Sequence, residues 1–218
     1  MRLLRLLRSI YMNRRGRVPR PSWVTYLVTY RCNARCRMCD SWRRDPGEEM
    51  TLAQIGAVFG KLGRLDVVRL SGGEPFLVKD LRKRAVAILD ASRPAVMHVT
   101  TNGSMPLRIA DFAEDFPEPG RLRIMVSFDG MAGAHDANRG EAVSFARAEE
   151  TVRRLGEIRD RRGVRVSANH TGISGNSMRD NLALRRHFNR TGVDVHTLLA
   201  YSDSAMYGAG RRGTAADD

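Results

Sequence analysis

Cys32, Cys36 and Cys39 lie within eight residues, spaced C-x3-C-x2-C, and they are the whole cysteine content of the 218-residue chain. Thiolates are the form of cysteine that binds metals and attacks electrophiles. Three so close together make a metal-binding loop or a redox trap, and chance grouping of three reduced cysteines is the bland alternative. A structural zinc site closes with four ligands. No fourth is at hand, because the first histidine is His98 and Asp40 suits a thiolate site poorly. A [4Fe–4S] cluster normally takes four thiolates. Three would leave one iron open to an outside ligand, the arrangement a catalytic cluster needs.

The loop must be held by elements, and their pattern repeats along the chain. Short β-branched or aliphatic runs fall at Trp23–Tyr30, Asp66–Leu70, Val96–Thr101, Leu122–Phe128, Val164–His170 and Val193–Ala200. Between them, Thr51–Leu62, Leu81–Ala91, Ile109–Phe116, Val143–Asp160 and Met178–Arg190 carry helical spacing. Thr51 with Gln54 predicts a capping box. Strands alternating with helical stretches predict βαβ units and a parallel sheet. A doubly wound open sheet and a partial barrel fit this pattern equally. In both, chemistry gathers at the C-terminal ends of the strands. Those ends hold Tyr30-Arg31-Cys32, Ser71-Gly72-Gly73-Glu74-Pro75, Thr101-Asn102-Gly103, Ser127-Phe128-Asp129-Gly130, Asn169-His170-Thr171 and Ala200-Tyr201-Ser202. Six small and polar loops therefore converge on one face.

Composition excludes several classes. Hydrophobic residues make up 42% and charged residues 28%, as in a folded globular chain. No apolar run approaches the roughly 18 residues of a spanning helix, and an odd, small cysteine count excludes a disulfide framework. The formal charge of +13 is uneven. Residues 1–44 hold twelve arginines against Asp40, whereas 45–218 hold 25 bases and 23 acids. The front segment, residues 1–21, interleaves Arg2, Arg5 and Arg8 with Leu3, Leu4, Leu7, Ile10 and Tyr11. It predicts a short basic amphipathic helix. Docking on the chain's own body or a loose tail is the first expectation, peripheral membrane contact through residues 1–20 the second. No specific nucleic acid is expected, since no stacking aromatics interleave the arginines. The location expected is cytoplasmic, with peripheral membrane association as the variant. Residues 22–203 form the core domain, and the Gly/Arg/Ala/Asp composition of 204–218 predicts a disordered tail.

RCNARCRMCD at 31–40 resembles the cluster loop of the radical S-adenosylmethionine (SAM) enzymes, and Ser71–Pro75 resembles their glycine-rich GGE motif after the second strand. The likeness continues through TTNG at 100–103, SFDG at 127–130 and HDANRG at 135–140. It implies an α/β fold, a partial (β/α)6 TIM-like barrel of parallel strands with outer helices. It implies that Cys32, Cys36 and Cys39 hold a [4Fe–4S] cluster, and that SAM is bound near Met38, Gly72, Gly73, Glu74, Pro75, Thr101, Asn102, Ser127 and Asn169. Met38 stands where the family usually has an aromatic residue, with Trp42 nearby. Ile173 and Gly175 only partly match the family's adenine-side glycine motif.

The same resemblance implies reductive cleavage of SAM, with a 5′-deoxyadenosyl radical that takes a hydrogen from substrate. It also implies a flavodoxin or ferredoxin as electron donor. His135, Asp136 and Arg139, expected in the loop after the fourth strand, are candidate substrate-side residues; an ordinary solvated loop is the plainer reading. No cysteine follows Cys39, so no cysteine-held auxiliary cluster is expected. Small molecule, peptide and partner enzyme all stand as substrate classes. The rival from another class is a non-enzymatic metal-binding or scaffold protein that keeps the fold.

Overall fold

The computed structural model describes residues 7, 10–17, 20–140, 144–172 and 177–199. Its strands are β1 (Trp23–Leu27), β2 (Val67–Ser71), β3 (Val96–Thr101), β4 (Leu122–Phe128), β5 (Arg165–Gly172) and β6 (Asp194–Leu199). Helices α1 (Leu52–Leu62), α2 (Leu81–Ser92) and α3 (Pro106–Glu114) follow β1, β2 and β3. Two helices, α4 (Ala132–Arg139) and α5 (Ser144–Arg162), follow β4, and α6 (Ser177–Phe188) follows β5.

The strands lie in the order β1-β2-β3-β4-β5-β6, every neighbouring pair parallel. That order separates the two architectures the periodicity left open. Parallel crossovers are right-handed. A sheet that adds each strand on the same side therefore keeps all its helices on one face, as a barrel does. A doubly wound sheet reverses direction and covers both faces. This sheet never reverses, so it is a barrel segment left open between β1 and β6.

The two faces differ in chemistry. Along β4, Leu122, Ile124, Val126 and Phe128 are buried, while Arg123, Met125 and Ser127 alternate with them and are half-buried. The buried set joins Val68, Leu70, Met97 and Val99 beneath Phe59, Ile88, Ile109, Phe112, Leu155 and Leu184 of the helices. The opposite face carries Thr25, Arg69, His98, Arg123 and Arg165 at facing register positions. A parallel sheet covered on both sides reads as continuous apolar runs; this one alternates because only its outer face is covered.

The capping box forms as expected: Gln54 N–H donates to Thr51 Oγ1 at 3.3 Å, and Thr51 N–H donates to Gln54 Oε1 at 2.8 Å. Helix α4 was not anticipated. Its sequence, AGAHDANR, has few strong helix formers, and burial of His135, Asn138 and Arg139 holds it instead. In the front segment residues 7 and 10–14 are helical, and Leu7, Ile10 and Tyr11 stay exposed, so these three do not dock on the body. Leu3 and Leu4 lie outside the described residues, as do 200–218. No described helix is long and apolar enough to cross a membrane.

Candidate cofactor site at the strand ends

The cysteine loop leaves β1 and is gripped from two sides. On one side the residues after β1 continue alongside those after β2. Val28 N–H donates to Ser71 O at 2.9 Å, Gly73 N–H to Thr29 O at 2.8 Å and Glu74 N–H to Arg31 O at 2.8 Å. The approach is close enough to demand glycine. A Cβ on Gly72, whose φ is +138°, would sit 2.2 Å from Thr29 O, and one on Gly73 would sit 2.1 Å from Arg31 O. The family resemblance assigns these glycines to a bound ligand; the geometry shows that the segment leading to Cys32 needs the same space.

On the other side stands the C-terminus of α4. Arg35 N–H donates to Arg139 O and Arg37 N–H donates to Asn138 O, both at 3.0 Å. The terminal carbonyls of a helix lack intrahelical partners, and here the cysteine loop supplies them. Gly140 ends the helix at φ +65°. Asn138 Nδ2 donates to Met38 Sδ at 3.2 Å and to Asp129 Oδ2 at 2.6 Å. Arg139 closes a two-toothed pair on Asp129, Nε to Oδ2 at 2.6 Å and Nη2 to Oδ1 at 2.9 Å, with both side chains buried.

Glu74 ties the GGE turn to the third strand end. It is wholly buried, and its carboxylate accepts from Thr101 Oγ1 at 2.8 Å, Asn102 N–H at 2.7 Å and Phe76 N–H at 3.1 Å. Burial raises its pKa, and those three donors pull it back. Asn102 Nδ2 in turn donates to Asn33 Oδ1 at 2.8 Å, inside the cysteine loop. Thr101 and Asn102 thus hold the loop and the GGE turn together. Pro75 opens a short 3-10 turn behind them. Asn33, Thr29, Asp129 and Asn138 were not singled out from sequence. Their partners lie up to a hundred residues away, and a local motif does not show such pairings.

Ser127 and Asn169 are register partners on neighbouring strands, side by side on the inner face. Asn169 is buried, and its Oδ1 makes no hydrogen bond among the described residues. An orphaned buried acceptor calls for a partner. Trp42 lies under Arg43, whose guanidinium is 4.5 Å from the ring centre, and its own indole N–H has no partner among the described residues. Ile173 and Gly175 lie outside the described residues.

His135, Asp136 and Arg139 sit on α4 rather than in a loop, and two of them turn inward. His135 Nδ1 accepts from Asp129 N–H at 3.2 Å, which leaves Nε2 to donate to Ser144 Oγ, also at 3.2 Å. Burial first, then Arg139, lowers its pKa to about 4, so it is neutral. Asp136 Oδ1 accepts from Phe145 N–H at 2.7 Å. A salt-paired Arg139 and a neutral, hydrogen-bonded His135 serve the frame around the cysteine loop. The loop reading failed because the short helix has no apolar stripe to announce it.

The thiols fit a cluster. Cys36 is buried, which pushes its pKa up to about 12. Cys32 is raised by burial too. A desolvated thiol ionises when a cation replaces the lost water. Arg139 supplies some of that field at both cysteines, and iron would supply the rest. Among the described residues no three His, Cys, Asp or Glu side chains group around a single metal ion. Thiolates that each bind a separate iron of a cluster need no such convergence.

A barrel segment with three cysteines on its first strand end and a glycine turn on its second defines a class: enzymes that work through an iron–sulfur cluster and SAM. The profile of the Radical SAM superfamily matches residues 26–187, and this chain belongs to that family. It is 34% identical over 161 residues to pre-heme d1 synthase of Dinoroseobacter shibae, covering 70% of this chain and 37% of that protein. It is 28% identical over 189 residues to GTP 3′,8-cyclase of Aquifex aeolicus, covering 81% of this chain and 55% of that one. The chain therefore spans between about a third and a half of these relatives. Streptococcus suis SuiB bound to S-adenosylmethionine shares the fold, with a TM-score of 0.72 at 11% identity over 91% of this chain and 45% of SuiB. So does anSMEcpe with bound AdoMet, at 0.67 and 16% over 90% of this chain and 56% of that one. The fold is accordingly the partial TIM barrel, the chain is an enzyme of this family, and the family's cofactors are a [4Fe–4S] cluster and SAM.

Proposed function

We propose that Cys32, Cys36 and Cys39 hold the cluster, with SAM on the adjoining strand ends along Gly72–Glu74, Ser127 and Asn169. The observation that carries this is the grip on the cysteine loop. Asn102 Nδ2 donates to Asn33 Oδ1, and Arg35 and Arg37 N–H donate to the last carbonyls of α4, so the loop that bears the three cysteines is held between the third strand end and that helix. When bound, the cluster supplies an electron that cleaves SAM and yields a radical able to take hydrogen from an unactivated carbon. The protein supplies orientation and dryness. Glu74 and Asn102 fix the two turns beside the loop. The Gly73 and Glu74 N–H groups are spent on Thr29 and Arg31 and the Glu74 carbonyl on Leu77 N–H, so the Gly72 and Gly73 carbonyls are the ones offered to an amino group in this reading. Asn169 Oδ1 offers a buried acceptor to a hydroxyl or amino group of the ligand, and Met38 offers a polarisable face to the adenine. A flavodoxin or ferredoxin is the electron donor in this reading.

Anaerobic reconstitution tests the assignment. The chain is expected to take up about four iron and four sulfide and turn brown, and Cys36→Ala to take up neither. Stoichiometric zinc with no visible chromophore would contradict it.

A further inference from the structure

The inner sheet face has a second feature, well below the cysteine loop. Arg69 on β2, His98 on β3, Arg123 on β4 and Arg165 on β5 are consecutive register partners. Neighbouring strands stand about 4.8 Å apart, so the four form one basic row across the sheet. The alternate residues Val68, Met97, Leu122 and Val166 are buried beneath the helices, which sends this row to the uncovered face. Contacts confirm the direction. Arg69 Nε donates to His98 Nδ1 at 3.3 Å, and its guanidinium lies 5.4 Å from the Trp23 ring centre on β1.

The positive field is strong enough to show on His98. Its pKa is lowered to about 4 by burial, then by Arg69, Arg123 and His196 on β6. His98 is therefore neutral, and the arginines carry the charge. Arg123 and Arg165 make no ion pair among the described residues. Asp194, exposed on β6, partners Ser167 one level higher on this face. Between the row and the strand ends lies Thr100, whose Oγ1 is buried without a partner among the described residues. A concave face with like charges gathered and a polar atom orphaned above them is built for an occupant that brings negative charge and hydrogen-bonding groups.

We infer that Arg69, Arg123 and Arg165 form an anion site that receives the phosphate or carboxylate groups of the substrate, while its reacting carbon lies toward the cysteine loop. The inference rests on the function proposed above. From Arg123 to Ser127 is four residues of strand, about 13 Å. A substrate that spans this gap is a small molecule carrying its acidic groups at the end remote from the reacting carbon. Planar guanidinium groups suit either anion, because both present paired oxygens.

The full chain, without cluster or SAM, is titrated calorimetrically with pyrophosphate and, separately, with citrate at about 0.15 M salt, where loose surface attraction is screened. At least one anion is expected to bind, and which one binds more tightly separates a phosphate substrate from a carboxylate one. Arg123→Met with Arg165→Met should weaken it about tenfold or more, about 1.4 kcal/mol. Arg123→Lys should keep part of the affinity and shows that the pocket still folds. Arg153→Met, on the outer face of α5, should change nothing. If neither anion binds wild type, or if the double variant binds as wild type does, the site does not exist. Equal weakening by Arg153→Met also overturns it, since binding is then diffuse charge. The titration needs no cluster, so a chain that binds the anion yet fails to cleave SAM contradicts the proposed function separately.

Discussion

Arg139 makes the residue-scale case. Its guanidinium is buried against Asp129, and its backbone carbonyl receives Arg35 N–H from the cysteine loop. Removing one partner of a buried pair leaves the other uncompensated, which costs about 3–5 kcal/mol. Arg139→Met is therefore expected to lose that much stability by urea unfolding, and adding Asp129→Asn should restore part of it. No recovery in the double variant would show that the pair is not the reason. The sequence made Asp129 and Arg139 visible as members of SFDG and HDANRG, yet not as partners. They meet because a helix turns back between them, and nothing in the spacing of HDANRG announces that helix. The three cysteines were legible at once, since their spacing is the chemistry.

At the scale of elements, the GGE turn and the segment between β1 and Cys32 are one interlocked unit. Gly73→Val places a Cβ against Arg31 O, one residue before Cys32. The variant is expected to lose iron during reconstitution as well as SAM affinity. A variant with full iron content and weakened SAM binding alone would show that the glycine serves the ligand and not the loop. The strands were readable because each alternates or runs apolar between turn residues, and β3 and β4 fall where the pattern put them. Strand β1 ends earlier than its apolar run, at Leu27, because the chain beyond it bends to meet the GGE turn. Helix α4 escaped because tertiary burial, not propensity, sustains it.

At the scale of the whole molecule, sheet order decided what periodicity could not. Alternation of strands and helices belongs to both architectures, and only the neighbour relations β1 through β6 show a sheet that never reverses. The same fold buries three described histidines, His98, His135 and His170, and burial lowers the pKa of each, most strongly for the first two. His98 faces Arg69, Arg123 and His196, and His135 faces Arg139, Asp129 and Asp136; both have pKa values lowered from 6.5 to about 4. The unfolded chain takes up protons near pH 6.5 and the folded chain resists until near pH 4. Their contribution is whole above pH 6.5 and is lost as pH falls toward 4, up to about 3 kcal/mol each. Urea midpoints at pH 7.5 and 4.5 should differ accordingly, and equal midpoints would contradict it. The central claim, that this rim of cysteines and turns cleaves SAM, is tested most directly on the reconstituted chain. With a strong reductant and SAM but no substrate, it is expected to release 5′-deoxyadenosine and methionine, and Cys39→Ala to release neither. An intact, reduced cluster that binds SAM and yields no 5′-deoxyadenosine would contradict the account.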